Sequence, residues 1–277
     1  MNSARFFQKL SVVLPLLVVC CTVAKGQPQT DYPTNDPSLN EYENLAATLL
    51  AEDIRHTYGG QDWTDSLSFS FDFVVYNKQR QEVARYHNKW NRATDEGLLS
   101  GKLNDGRVYT VRFSNLSACQ GTMMIDSQEV AQAILPSALH TAYERLQNNL
   151  RWLLTPQRLL DSDVTLKIQS DTTIDGKEIT PMKVIYNDSI STSTSEVLLY
   201  INSGYKNIER WRVNYDGVYR EYIWRLTRRV GSFLFATRLW AEDFQTYIQL
   251  EKIKVTRVNG EEVAQGEEEG SRSPFNS

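Results

Sequence analysis

The stretch SQEVAQAILPSALHTAYERLQNNLRWLLTPQRLLDSDV, residues 127–164, decides how the rest of the chain is read. Leu139, Ala142, Tyr143, Leu146, Leu150 and Leu153 recur at helical spacing and form one apolar stripe, whereas Arg145, Gln147, Asn148 and Arg151 fall off it. The pattern predicts a long amphipathic helix split at Pro136, with Ser137 capping the second half and Pro156 ending it. A strand should begin near Val164. The chain on both sides alternates apolar and polar residues, so one greasy helical face is set among many antiparallel strands. That combination calls for a sheet curled around the helix.

Upstream, Leu67, Phe69, Phe71, Phe73 and Val75 alternate with Ser66, Ser68, Ser70 and Asp72, the clearest strand in the chain. Three phenylalanines on one face demand a cover, since fully burying each is worth roughly 1.5–3 kcal/mol. A second strand is expected over Val83–Trp90, with Ala84, Tyr86 and Trp90 on one side and Arg85, His87 and Lys89 on the other. Asn104-Asp105-Gly106 turns the chain into a further inward set, Tyr109, Val111 and Phe113. Before these, Asp36-Pro37, or Ser38 with Glu41, starts a helix lined by Ala47, Leu50, Ile54 and Tyr58 and ended by Gly59-Gly60.

Downstream, Val164, Leu166 and Ile168 alternate, and Asp175-Gly176 leads by a hairpin into Met182, Val184 and Tyr186. Val197–Ile201 is apolar on both faces, which predicts a central strand. Trp211, Val213 and Tyr215 follow, then Tyr222, Trp224 and Leu226, then two strands over Ser232–Trp240 and Gln245–Val255. The sum is about nine to eleven short strands with two principal helices, an α+β chain forming one antiparallel, barrel-like domain. No internal repeat or mid-chain linker is visible.

The ends have their own character. Arg5 and Lys9, an apolar run over Leu10–Val19, and Ala24-Lys25-Gly26 match a secretory signal cleaved after Gly26. The run is too short for a comfortable membrane span. Lipidation at Cys20 is disfavoured by the bulky Val19 before it. Residues 27–37 read as a flexible leader, 38–258 as the domain, and 259–277 as a disordered acidic tail. Cleavage removes Arg5, Lys9 and Lys25 and no acid, moving the formal charge from −4 to −7. An acidic exported chain is a poor nucleic-acid binder. Only Cys119 would remain, so there is no internal disulfide and no thiolate zinc site.

Chemistry is scarce. His56, His87 and His140 are not at ligand spacing, and no nucleophile elbow, phosphate loop or dinucleotide fingerprint occurs. Cys119 has no basic neighbour to activate it. Asp161 and Asp163 flank a helix-to-strand turn. The chain is therefore read as no enzyme, with no cofactor and no metal. Arg210, Arg212 and their neighbours, interleaved with Trp211 and Trp224, suit either a basic face or an exposed strand face paired with Glu209, Glu221 and Glu242, and the second is preferred. Asn115 and Asn187 begin glycosylation-type triplets.

The segment Arg151-Trp-Leu-Leu-Thr-Pro-Gln-Arg-Leu-Leu-Asp-Ser-Asp-Val164, with Ile174-Asp-Gly-Lys177, Val197-Leu-Leu-Tyr-Ile-Asn202 and Asn207-Ile-Glu-Arg210, resembles exported bacterial proteins grouped with the lipoprotein carriers LolA and LolB. The order of elements is similar from about Glu41 to Val258. The resemblance implies an incomplete antiparallel β-barrel whose concave apolar face is closed by helices over a lipid or acyl chain. It does not extend to the single arginine or protruding leucine loop of the classical carriers, so lipoprotein transfer is not implied. On this basis Phe69, Phe71, Phe73, Tyr109 and Val111 would line a ligand site from the sheet, and Leu139, Tyr143, Leu146, Leu150 and Trp152 from the helix. The expected protein is a periplasmic or secreted monomer that binds a hydrophobic ligand, with an envelope protein as partner. The competing expectation is a structural or interaction domain whose core is filled by the same side chains.

Overall fold

The structure, a computed structural model, describes residues 37–187, 190, 196–215, 218–257, 260 and 263. The signal, the leader except Pro37, and all of the acidic tail except Gly260 and Val263 lie outside the described residues, as do the side chains of Ser38 and Glu41.

The chain begins with α1 (Pro37–Thr57) and continues through β1 (Leu67–Asn77), β2 (Glu82–Asn91), β3 (Glu96–Lys102), β4 (Val108–Asn115), β5 (Gln120–Ile125) and β6 (Gln128–Glu129). Next come α2 (Leu135–Arg158), β7 (Val164–Ile168), β8 (Thr172–Ile174), β9 (Lys177–Tyr186) and β10 (Glu196–Asn202). It ends with β11 (Ile208–Tyr215), β12 (Val218–Val230), β13 (Phe233–Ala241) and β14 (Thr246–Arg257). These strands form a single sheet in the order β6-β5-β4-β3-β2-β1-β14-β13-β12-β11-β10-β9-β7, with β8 on β9. Every pairing is antiparallel, and the two edges do not pair, so the barrel is incomplete.

This topology explains the position of α2. The first meander runs from β1 out to β6, and the chain must then reach the opposite edge at β7 before meandering back to β14 beside β1. The helix α2 is that crossing. Trp152 shows that the sheet curls around it: its ring lies 6.5 Å from Phe73 on β1 and 4.9 Å from Trp211 on β11. Those strands are four places apart, about 19 Å on a flat sheet. Only a curved sheet brings both rings to one side chain.

Local chemistry sets the boundaries. The helix α1 ends where Gly59 adopts φ 79°, a conformation that favours glycine. A Cβ there would also lie 2.0 Å from the Ser232 carbonyl oxygen, so the turn packs directly on the start of β13. The expected start of α2 is corrected. Asp126 and Ser127 take positive φ, β6 pairs with β5, and the helix begins only at Leu135, with Ile134 rather than Ser137 at its N-cap. Pro136 sits in the first turn, where its missing N–H breaks no bond, so it starts the helix rather than splitting it. Pro156 does not end α2 either, which continues to Arg158.

Among the described residues the strand count is fourteen rather than nine to eleven. β6 and β8 are only two and three residues long, and β3 carries Gly97 and Gly101 where alternation would be sought. β10 is an interior strand but only third from the β7 edge, and β13 and β14 lie nearer the middle.

Candidate ligand site between the sheet and the helix

All ten residues expected to line a site are buried: Phe69, Phe71, Phe73, Tyr109, Val111, Leu139, Tyr143, Leu146, Leu150 and Trp152. They do not form one cluster. Trp152 meets Phe73, and Tyr143 meets Phe113 edge-on at 6.4 Å. Leu146 packs over Gly97 so closely that a Cβ there would be 3.0 Å from its Cδ2. Phe69 belongs elsewhere, among Trp63, Trp90 and Phe233 at 5.4, 6.4 and 6.3 Å. Tyr109 lies against Gly101 on β3, beside Tyr86.

Sequence reasoning missed the aromatic stack beside Trp152. Trp152 and Trp211 are parallel at 4.9 Å, Trp211 and Trp224 follow at 5.9 Å, and Tyr222 meets Trp152 edge-on at 4.8 Å. Alternation had marked Trp211, Tyr222 and Trp224 as one face of β11 and β12. Nothing in the spacing said that the face would fold back onto the helix.

The two ends of α2 have different surroundings. Between Leu135 and Gln147, residues Leu135, Ala138, Leu139, Ala142, Tyr143 and Leu146 are buried while Pro136, Ser137, Thr141 and Arg145 are exposed. From Asn149 to Arg158 every side chain is buried, including Asn149, Arg151, Thr155, Gln157 and Arg158. Arg151, assigned by its spacing to the polar face, is instead enclosed under the Tyr186 ring at 4.7 Å.

Burying polar groups costs several kcal/mol unless they are paired. Each of these side chains makes at least one hydrogen bond, although Gln157 Oε1 makes none among the described residues. Asn149 donates to Asn88 Oδ1 at 2.8 Å, and Asn88 donates in turn to the Tyr86 carbonyl at 2.9 Å. Gln157 donates to the carbonyls of Tyr58 and Leu234, joining α2 to the end of α1 and to β13. Thr155 bonds the Tyr186 hydroxyl. Arg158 holds Asp161 at 3.1 Å and Asp163 at 2.7 Å. Asp161 also accepts from Trp63 and Arg92, and Arg92 stacks on the Trp63 ring at 4.1 Å. The carboxylates at the helix-to-strand turn are therefore structural ties.

Titration follows these environments. Burial acts against the Arg158 cation, but Asp163, Tyr186 and Asp161 outweigh it and raise the guanidinium above its ordinary value. Burial raises the Tyr186 phenol above its ordinary value, opposed by Arg158. On the convex face, burial pushes the Asp72 carboxyl up, but bonds from Lys252, His87 and Arg85 dominate and hold it below the usual range. On the Arg–aromatic strands, Arg210 and Arg212 both pair with Glu221, whereas Glu209 meets Lys177 rather than an arginine.

Among the described residues, no cluster of His, Cys, Asp and Glu has the grouping of a metal site, and no helix is long and apolar enough to cross a membrane. Cys119 is half-buried in the β4–β5 turn at φ 53°. Asn115 is exposed and accepts from the Ala118 N–H, Asn187 is exposed and donates to Thr165, and Asp188 and Ser189 lie outside the described residues.

No family model matches the chain, and no curated protein matches its sequence. Solved structures do resemble it. A DUF1329 family protein from Desulfovibrio piger aligns over 76% of this chain and 92% of its own at 11% identity and TM-score 0.45. A LolA superfamily protein from Nitrosomonas europaea aligns over 75% and 92% at 10% identity and TM-score 0.46. An outer membrane lipoprotein-sorting protein domain from Vibrio parahaemolyticus aligns over 78% and 94% at 10% identity and TM-score 0.42. The chain is similar to these proteins in its path, at a level where function has to be argued from its own side chains.

Proposed function

We propose that the chain is an exported binding protein that holds an acyl chain or similar apolar ligand between the curved sheet and the first half of α2, without catalysing a reaction. The observation that supports this reading is the one-sided burial of residues 135–147 beside the all-round burial of 149–158. The first half has only one face to detach, and the second keeps the helix anchored while that happens. Moving Leu139, Tyr143 and Leu146 out would uncover Val111, Phe113 and Met123, all buried and apolar.

The magnitudes favour long ligands. Exposing three large side chains costs about 4.5–9 kcal/mol at about 1.5–3 each, and a ligand returns about 0.8 kcal/mol per methylene. Between about six and eleven methylenes balance the opening, so chains shorter than about six carbons do not. Export, with cleavage after Gly26 and loss of Cys20, places the protein in the periplasm or outside the cell as a monomer, where an envelope protein would receive the ligand.

A second reading is a structural domain with a permanently filled core. The close approach of Leu146 to Gly97 favours it. Lipid extraction and mass spectrometry of protein purified from its native envelope, with titration of fluorescent fatty acids of increasing length, separates the two. Saturable binding that begins between about six and eleven carbons is the expected result. A folded, lipid-free protein that takes no probe of any length establishes the filled core.

A further inference from the structure

The convex face carries a feature independent of that interior. Leu98 on β3 pairs with Lys89 on β2 and Arg112 on β4, and Arg112 pairs with Thr122 on β5. The flanking strands stand about 10 Å apart, two strand spacings. Lys89 and Arg112 thus wall a groove of about 440 Å³ over Leu98, with Asn91, Glu96 and Ser114 also lining it.

The other half of the sheet repeats this row. Leu198 on β10 pairs with Lys183 on β9 and Arg212 on β11, and Arg212 pairs with Glu221 on β12. Glu196 stands two residues before Leu198, as Glu96 stands two before Leu98. In this second row the charges close on themselves. Lys183 meets Glu196 at 2.8 Å, Arg212 meets Glu221 at 3.1 Å, and the groove is about 210 Å³.

The first row lacks that closure. Thr122 stands where Glu221 stands, and Glu96 accepts from Thr94 Oγ1 at 3.0 Å. Among the described residues, Lys89 and Arg112 have no ion-pair partner, while Arg85, Lys252, Lys177, Lys183, Arg210 and Arg212 on the same convex face all do. Two cations against one carboxylate, beside the hydroxyls of Ser114 and Thr122, form a receptive surface for a negative group. The planar fork of an arginine matches the two oxygens of a carboxylate or phosphate.

We propose that the groove over Leu98 is an oxyanion site, holding a phosphate or carboxylate between Lys89 and Arg112 where the second half of the sheet supplies its own Glu221. Free anion and the headgroup of an anionic lipid share this chemistry. The test uses the full chain, with calorimetric titration of inorganic phosphate and flotation with vesicles of phosphatidylcholine, with or without phosphatidylglycerol. Thr122→Glu installs the missing carboxylate at an exposed position and should weaken binding at least tenfold; Arg112→Gln should do the same, with circular dichroism confirming both folds. Phosphate binding weakened by both variants identifies a free-anion site. Binding confined to phosphatidylglycerol vesicles and lost in both variants identifies a headgroup site. No binding to either probe, or binding that Thr122→Glu leaves unchanged, overturns the proposal.

Discussion

From Leu135 to Gln147, α2 turns one face to the sheet and the other to solvent, whereas from Asn149 to Arg158 the same helix is enclosed on every side. The difference lies in what surrounds each half. The first half lies over the β2–β5 meander and packs on one side only. The second half meets the aromatic stack of β11 and β12, the Tyr58 end of α1, β13, and the Asp161–Asp163 turn. One helix thus combines an anchor bound by buried polar ties with an arm held mainly by apolar contact. A polar tie holds only over a few tenths of an ångström, whereas apolar contact can be exchanged for another apolar surface, including a ligand.

The sharpest way to break this comparison is to remove a cation from each half. Arg158→Met removes charged hydrogen bonds to Asp161, which keeps its Trp63 and Arg92 donors, and to the half-exposed Asp163, and should cost roughly 1.5–3 kcal/mol. Arg145→Met, at an exposed position where the guanidinium lies over the Tyr86 ring at 5.0 Å, should cost no more than about 1 kcal/mol. Urea unfolding measures both, and equal losses would mean that the halves do not differ as anchor and arm. Leu146→Ala, where the arm touches the sheet, should cost roughly 2–5 kcal/mol. On the carrier reading it also raises uptake of a long-chain fatty-acid probe, because it clears the space over Gly97. A destabilised variant with no gain in uptake favours the filled core.

Next in size is the Asn149–Asn88 tie, which lies where arm becomes anchor. Asn149→Ala should cost roughly 1–3 kcal/mol, the penalty for leaving the buried Asn88 oxygen without its donor. Hydrogen exchange should show the extra opening in residues 135–147 rather than in 149–158. Uniform loss of protection would assign the tie to the whole fold.

Local rules made much of this architecture legible. The alternation of Phe69, Phe71 and Phe73 identifies β1, Gly59 ends α1, and Asp175-Gly176 makes its hairpin, because each depends on neighbours within a few residues. What escaped depends on distant partners. Gly97 and Gly101 obscure β3 because their missing side chains accommodate Leu146 and Tyr109. The enclosure of Arg151 and Arg158 follows from Tyr186, Asp161 and Asp163, which come later in the chain. The stack of Trp152 on Trp211 exists only because the sheet curls, and the paired Lys–Leu–Arg rows emerge only once strand register is known. The candidate residues on α2 were legible as a stripe. Their division into arm and anchor was not.

The smallest effect is set by pH and reports on the anchor. Tyr186 is fully enclosed, and burial raises its phenol above 10.0 even though Arg158 pulls it down. The native state therefore keeps the proton that the unfolded chain gives up near pH 10. Its contribution is complete below that pH and declines as pH climbs from about 10 toward the higher native value, by at most about 1.4 kcal/mol per pH unit for one group. Tyr58, Tyr109 and Tyr222, raised chiefly by burial as well, add to the same alkaline decline. Tyr186→Phe removes one of these protons. It should lower stability at pH 7 by about 0.5–1.5 kcal/mol through the lost Thr155 bond. It should also make the decline above pH 10 shallower, seen as a smaller change in urea midpoint between pH 9 and pH 11. An unchanged slope would place Tyr186 in water, and with it the Arg158 end of the helix.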